Sequence, residues 1–350
     1  MNRIRINLLL ILMLLCSLMM ISCGQAKDEV NSAIIAESNE DDKIVIGFSQ
    51  VGAESDWRKA NTESMKETFT EEKGYHLIIS DAQQNQTKQI TAIRTFIQQE
   101  VDYIVLAPVT EDGWETVLEE AKEAGIPVII IDRMVNVSDN SLYVCRIGSD
   151  FEKESGKVTS WLKQYIDYKG LDNEDINIIN IQGTLGASSQ IGRSEGLHRA
   201  VNEYGWNLLE EVEGEYTRAR AREVMGAMLK KYNRINIVYC ENDNEAFGAI
   251  EAIKAAGKHV GPNIEAGQIL IVSFDGVSEQ AIEYGRTGKI SCIAECNPLH
   301  GPRVLRIIET LERGAEVGKF DSVDEALFSN ITVVKNVYYD NKSYPVTFLE

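Results

Sequence analysis

From Ile44 to Tyr284 short apolar runs alternate with longer amphipathic stretches, and the rhythm is played through twice. In the first pass Ile44–Ser49, His76–Ser80, Tyr103–Leu106, Val128–Ile131 and Leu142–Ile147 predict strands. Between them Trp57–Glu72 predicts a helix, Ile90, Ile93, Phe96 and Ile97 share one helical face, and Gly113–Glu123 predicts a third helix with Gly125 just past its end. After Asp150 the pattern restarts. Helices are expected over Glu152–Tyr168, Ser188–Glu203, Arg218–Tyr232, Glu245–Ala256 and Ser278–Tyr284, with strands over Ile176–Ile181, Trp206–Val212, Ile235–Tyr239 and Ile269–Ser273. Strands this uniformly apolar are buried on both faces, which is the signature of parallel sheets sandwiched between helices. The expected fold class is therefore α/β, two Rossmann-like units in tandem.

The first residues follow different rules. Arg3 and Arg5 precede an apolar run, Leu8–Ile21, that stops at Ser22-Cys23-Gly24. A basic head and an apolar stretch ending in small residues describe an export signal over 1–22. Met20-Ile21-Ser22-Cys23 resembles a bacterial lipobox, which implies a lipid on Cys23 and a polar tether over 23–42. Removing the signal leaves 328 residues, more than one core usually supports, and shifts the formal charge from −19 to −21. So acidic a surface repels phosphates and excludes nucleic acid as a partner.

Cys145, Cys240, Cys292 and Cys296 stand in or beside apolar strand-like runs, where cysteine serves as a small buried hydrophobe; a single disulfide is the alternative. No histidine has metal-ligand spacing from them, so no metal is expected. Neither a Gly-x-Gly-x-x-Gly nor a Gly-Lys-Ser/Thr loop follows any strand. Gly183-Thr184-Leu185-Gly186 is only a weak phosphate-loop match. No cofactor is implied.

In open parallel sheets ligands bind beyond the carboxyl ends of the strands. Those ends read Ser49-Gln50, Asp81, Ala107-Pro108, Asp132-Arg133, Gln182-Gly183, Tyr216-Thr217-Arg218, Asn242-Asp243, Asp275-Gly276 and Glu295. Carboxylates, amides and arginines dominate, without a Ser/His/Asp arrangement. Sugar hydroxyls donate and accept at once, so Asp and Arg can each grip a vicinal pair, and a C–H face packs on an aromatic ring such as Trp57.

Several of these pieces recur in a known order: Gly47-Phe48-Ser49-Gln50-Val51-Gly52 with Trp57-Arg58, Asp81-Ala82-Gln83-Gln84, Ile131-Asp132-Arg133, Gln182-Gly183-Thr184, Glu241-Asn242-Asp243 and Phe274-Asp275-Gly276. The chain resembles the type I periplasmic sugar-binding proteins of ABC transporters, most closely their galactofuranose-binding branch. The resemblance implies two lobes joined by a three-segment hinge: 43–147 with 295–322, and 148–294 with 323–350. It implies that Asp132, Arg133, Arg193, Asn242 and Asp275 grip hydroxyls, that Trp57 stacks on the ring and that Tyr216 lines the cleft. Arg58, Glu54 and Glu295 are lesser members of the same set. It further implies a monomer that closes on a monosaccharide outside the cytoplasm and delivers it to a membrane permease. Ala107 stands where ribose binders carry asparagine, and Glu241 stands where the nearest branch carries histidine.

Two rivals differ in class. A glycosidase could use Asp132 and Asp275 as acid and base, but arginines beside both are expected to keep both ionised, whereas such catalysis needs separated pKa values. A sensor would present the same closed lobes to a histidine kinase or chemoreceptor. A sugar-responsive repressor is excluded, because the export signal occupies the place of its DNA-binding helices.

Overall fold

The computed structural model describes residues 43–323 and 325–350. The signal, Cys23 and the tether lie outside the described residues, among which no helix is long and apolar enough to cross a membrane.

The chain runs β1 (Ile44–Gln50), α1 (Asp56–Thr68), β2 (Tyr75–Asp81), α2 (Gln86–Gln98), β3 (Tyr103–Leu106), α3 (Glu115–Glu123), β4 (Val128–Ile131) and β5 (Arg146–Gly148). Then come α4 (Phe151–Lys169), β6 (Asn177–Gln182), α5 (Ser188–Tyr204), β7 (Asn207–Glu213), α6 (Arg218–Lys231) and β8 (Ile237–Cys240). After α7 (Asp243–Ala255), β9 (Leu270–Asp275), α8 (Glu279–Arg286) and β10 (Cys292–Glu295) follow α9 (Gly301–Glu312), β11 (Phe320–Ser322), β12 (Leu327–Ser329), β13 (Asn336–Tyr339) and β14 (Lys342–Phe348).

Two sheets result. The first has the order β11-β5-β4-β3-β1-β2 and is parallel throughout; the second has the order β13-β14-β12-β10-β9-β8-β6-β7. Alternate residues of each strand feed opposite cores. Ile46, Phe48, Val105 and Ile129 pack under Met65, Phe69, Val304 and Ile308 of α1 and α9. Ile104, Leu106, Val128 and Ile130 pack under Ile93, Phe96 and Leu118 of α2 and α3. The second sheet is sandwiched likewise: Ile178, Ile237 and Val272 meet Trp161 and Leu197, while Ile179, Val238 and Ile271 meet Met225 and Phe247. Double coverage is why the central strands β3, β4 and β8 are almost wholly apolar.

The second sheet departs from a wholly parallel one. β12 pairs antiparallel with β10, and β13–β14 is a hairpin whose Asp340-Asn341 turn has φ of 47° and 57°. Both central residues at positive φ give the turn whose twist suits a two-residue hairpin. The expected strand at Leu142–Ile147 contracts to β5, after a 3-10 turn at Asn140–Leu142. The chain passes between the sheets three times: after β5, after β10 and after β11. Glu295 ends β10 in the second sheet, paired with Asp275, rather than opening the segment that returns to the first. Cys145, Cys240, Cys292 and Cys296 are all buried and free, so the disulfide alternative is not realised.

α2 lies so close to β1 that a Cβ added at Gly47 would stand 2.5 Å from the Phe96 ring. Gly47→Ala should therefore lower stability by about 1–3 kcal/mol, the usual cost of overpacking. Urea denaturation measures it, and an unchanged midpoint would show that the ring yields freely.

Candidate ligand-binding site

The carboxyl ends of the two sheets face a small polar cavity. Nine of the ten side chains anticipated from sequence line it: Glu54, Trp57, Arg58, Asp132, Arg133, Arg193, Tyr216, Asn242 and Asp275. Glu295 does not. Its carboxylate accepts the Ala326 N–H at 2.8 Å, so it closes the third crossing instead of facing a ligand. Ser55, Ser189 and Cys296 complete the lining and were not anticipated. Only the first adjoins a conspicuous motif; Ser189 lies one turn before Arg193 on α5, a spacing that could have pointed to it.

On the first sheet's side the centre is Arg58, which is buried. Ser55 caps α1 by accepting the Arg58 N–H, which places the side chain at the head of the helix. Its guanidinium donates to Glu54 Oε1 at 3.1 Å, Gln50 Oε1 at 3.3 Å and Asp132 Oδ2 at 2.7 Å. Burial disfavours the charge, but Asp132 and Glu54 outweigh it and raise the Arg58 pKa. Burial likewise opposes ionisation of Asp132, yet Arg58 and Arg133 hold its carboxyl below the usual range. Arg133 donates to the Val109 carbonyl at 2.7 Å and lies 5.1 Å from the Tyr216 ring. Trp57 donates its indole N–H to the Cys296 carbonyl at 2.7 Å, with the Arg58 guanidinium 4.7 Å from its ring centre.

On the second sheet's side Arg193 takes the matching role. It donates to Glu154 Oε2 at 2.9 Å and to the Glu241 carbonyl, and it lies 3.5 Å from Asp275 Oδ1. Asn242 caps α7 by accepting the Glu245 N–H and donates to the Tyr216 carbonyl at 3.2 Å. The Tyr216 hydroxyl bonds Ser189 Oγ at 2.6 Å. Its ring occupies the space above Gly183, where an added Cβ would come within 1.9 Å of it.

Three lining residues hold positive φ: Asp132 (63°), Tyr216 (59°) and Asp275 (103°). Such conformations cost about 1–3 kcal/mol each and persist only where neighbours over-determine them. Here the neighbours are visible. Arg146 donates twice to the Asp132 carbonyl, Glu245 accepts the Tyr216 N–H, and Cys296 N–H donates to the Asp275 carbonyl. Glu54 Oε2 and Arg133 Nε are buried without a hydrogen-bond partner among the described residues. A buried polar atom left so costs about 1–3 kcal/mol, which a ligand hydroxyl would recover.

The lobes also touch directly across the cavity's rim. Asp56 N–H donates to Asn244 Oδ1 at 3.0 Å, Met134 N–H to Ser188 Oγ at 2.7 Å and Glu111 N–H to the Gly186 carbonyl at 2.9 Å. The arrangement is a shut one.

One expectation fails. Asp275 is not kept ionised by its arginine: burial pushes its carboxyl well above the ordinary value, and Arg193 opposes this only in part. Arg193 must serve Glu154, Asp275 and the Glu241 carbonyl together, and Asp243 adds a further negative neighbour. The two acids are thus shifted in opposite directions, and separated pKa values cannot be used to exclude acid–base chemistry here.

Glu241 shows the same effect with clearer partners. Burial lifts its carboxyl from 4.5 to about 7, although Ser194 and the Gly183 N–H bond its charged form. The folded chain then holds a proton that the unfolded chain releases, so this contribution to stability falls as pH rises from 4.5 to about 7. Glu241→Gln retains an uncharged acceptor for Gly183 and should flatten the fall in Tm across that window. A Tm profile parallel to that of the parent chain would place the proton elsewhere.

A family model for the periplasmic binding protein domain matches residues 46–299. The galactofuranose-binding protein YtfQ of Escherichia coli (strain K12) is 40% identical over 240 residues, covering 67% of this chain and 72% of its own length. A Mycobacterium smegmatis protein solved in complex with beta-D-fucofuranose superposes with a TM-score of 0.76 at 38% identity, covering 82% of this chain and 91% of that one. The periplasmic component of the arabinose ABC transporter from Shewanella sp. ANA-3, bound to alpha and beta-L-arabinofuranose, gives 0.75 at 38% identity, covering 81% and 91%. With the matched segment spanning both sheets and well over half its length, the chain belongs to the type I periplasmic sugar-binding proteins.

Proposed function

We propose that this protein binds an aldose in its furanose form, galactofuranose-like, between its two lobes and delivers it to an ABC importer. Its relatives are solute-binding proteins, not enzymes, which sets the glycosidase alternative aside. The observation that carries the reading is the cavity's lining, where carboxylates and guanidinium groups from both sheets meet around one small polar space. Similar proteins solved with fucofuranose and arabinofuranose support the five-membered ring over the six-membered one. The arabinose protein is a transporter component, which favours a permease over a kinase as the partner.

Closure follows from shared contacts. A sugar touching Asp132 and Arg133 from one lobe and Arg193, Asn242 and Asp275 from the other bonds all of them only when the lobes meet, so it shifts the population toward the shut form. Specificity follows from burial: an epimer that leaves Glu54 Oε2 or Arg133 Nε unpaired forfeits about 1–3 kcal/mol. The protein acts outside the cytoplasm, as a monomer, held to the membrane by a lipid on Cys23 after removal of residues 1–22.

Calorimetry with galactofuranosides, arabinose and ribose tests the ligand class. Asp132→Asn keeps size and backbone preference while removing the charge, and Trp57→Ala removes the ring; each should weaken binding at least tenfold. Affinity unchanged in both would sink the assignment of this cavity. The tether is tested separately: mass spectrometry of the mature chain should show an N-terminus at Cys23 carrying diacylglycerol. An unmodified Cys23 would rule the lipid out.

A further inference from the structure

The three crossings between the sheets bring three ionisable side chains to one point. Glu154 stands in the first turn of α4, just after the first crossing; Cys296 opens the second; Glu325 lies in the third. The Cys296 sulfur and one carboxylate oxygen from each glutamate all lie within 4.8 Å of one another. Ser149, in the first crossing, joins them: its hydroxyl is 3.3 Å from the sulfur and donates to Glu325 Oε1.

The surroundings leave this cluster rich in acceptors. Glu154 is 1% exposed, and its Oε1 has no hydrogen-bond partner among the described residues. Its other oxygen is taken by Arg193, which also serves Asp275. Lys157 donates to the Glu325 backbone carbonyl, and Asn297 N–H to Glu325 Oε1. Glu325 also lines a groove with Lys157, Glu295 and Tyr344.

We infer that Glu154, Cys296 and Glu325 form a binding site for a divalent transition-metal ion, with Zn²⁺ the ion their chemistry fits best. One thiolate with two carboxylates is a borderline-soft set that disfavours Mg²⁺ and Ca²⁺, which take oxygen alone. Around a tetrahedral Zn²⁺, with bonds of about 2.0–2.3 Å, ligand atoms stand roughly 3.4–3.6 Å apart, so the cluster needs only a small contraction. Ser149 Oγ or a water takes the fourth position. Binding displaces the thiol proton to solvent, leaving thiolate and carboxylates as ligands. Such an ion clips the three crossings together. It is also linked to the cavity, because the Cys296 carbonyl receives the Trp57 indole and Glu154 holds Arg193. The inference does not depend on the identity of the sugar.

Co²⁺ added to the chelator-treated full chain provides the test, because cobalt bound to a thiolate absorbs in the near ultraviolet by charge transfer. The expected result is one such site per chain, bleached by Zn²⁺, with protons released on binding. Cys296→Ser should abolish the band, and Glu325→Gln should weaken both metals at least tenfold with the circular dichroism spectrum retained. The exposed pairs His76–Glu71 and His198–Glu211 could take cobalt, but without a thiolate band. Absence of the band in the parent chain, a band that survives Cys296→Ser, or equal affinity in folded Glu325→Gln overturns the site. Should Cys296→Ser fail to fold, the band and proton release of the parent chain decide.

Discussion

Two buried arginines hold this protein's site in place. Arg58 and Arg193 are each 2% exposed, and neither could stay there unless carboxylates and carbonyls surrounded it. Removing a partner from such a pair costs about 3–5 kcal/mol, so each guanidinium fixes its acceptors as firmly as packing does. Arg58 thereby ties the end of β1, the head of α1 and the turn after β4 into one unit through Gln50, Glu54 and Asp132. Arg193 does the same for α4, β8 and β9 through Glu154, the Glu241 carbonyl and Asp275. The cavity wall is thus rigid before any ligand arrives.

The two halves solve the problem of buried charge differently. Around Arg58 the balance favours ionised acids: Asp132 is held below the usual range with Arg133 adjacent. Around Arg193 acids outnumber the single cation, and burial raises the carboxyls of Glu241, Asp243 and Asp275 above their ordinary values. One side of the cavity therefore presents Asp132 with Arg58 and Arg133, the other Arg193 with Asp275, whose carboxyl is shifted upward. A polyol whose hydroxyls donate and accept can be matched by such a pair of faces.

Much of the fold was legible in the sequence, because parallel strands covered on both faces must be apolar at every position. The first four strands and most helices stand within a few residues of where the runs placed them. Strand direction then put the polar tips on one edge, and nine of ten chosen side chains share the cavity. The C-terminal hairpin was not legible. β13 is the edge strand, with Val337 inside and Tyr338 exposed, and β14 beside it alternates partly buried and exposed residues, so neither carries the continuous apolar signal. Glu295 misled for a related reason: a strand end in the right sheet need not point into the crevice when a crossing segment claims its carboxylate.

By itself the sequence determined the architecture, the side of the sheets on which ligand chemistry gathers, and the family. Those depend on periodicity and local order, which a linear chain carries openly. Tertiary structure alone decided which tips share a space, that Ser189 and Cys296 join them, and that burial raises the Asp275 carboxyl while arginines lower that of Asp132. Those outcomes rest on contacts between residues far apart, such as Trp57 with Cys296 across 239 positions, and on how many acids one buried cation must serve. Distance in space and desolvation are not written along the chain. They exist only once the lobes have folded and met.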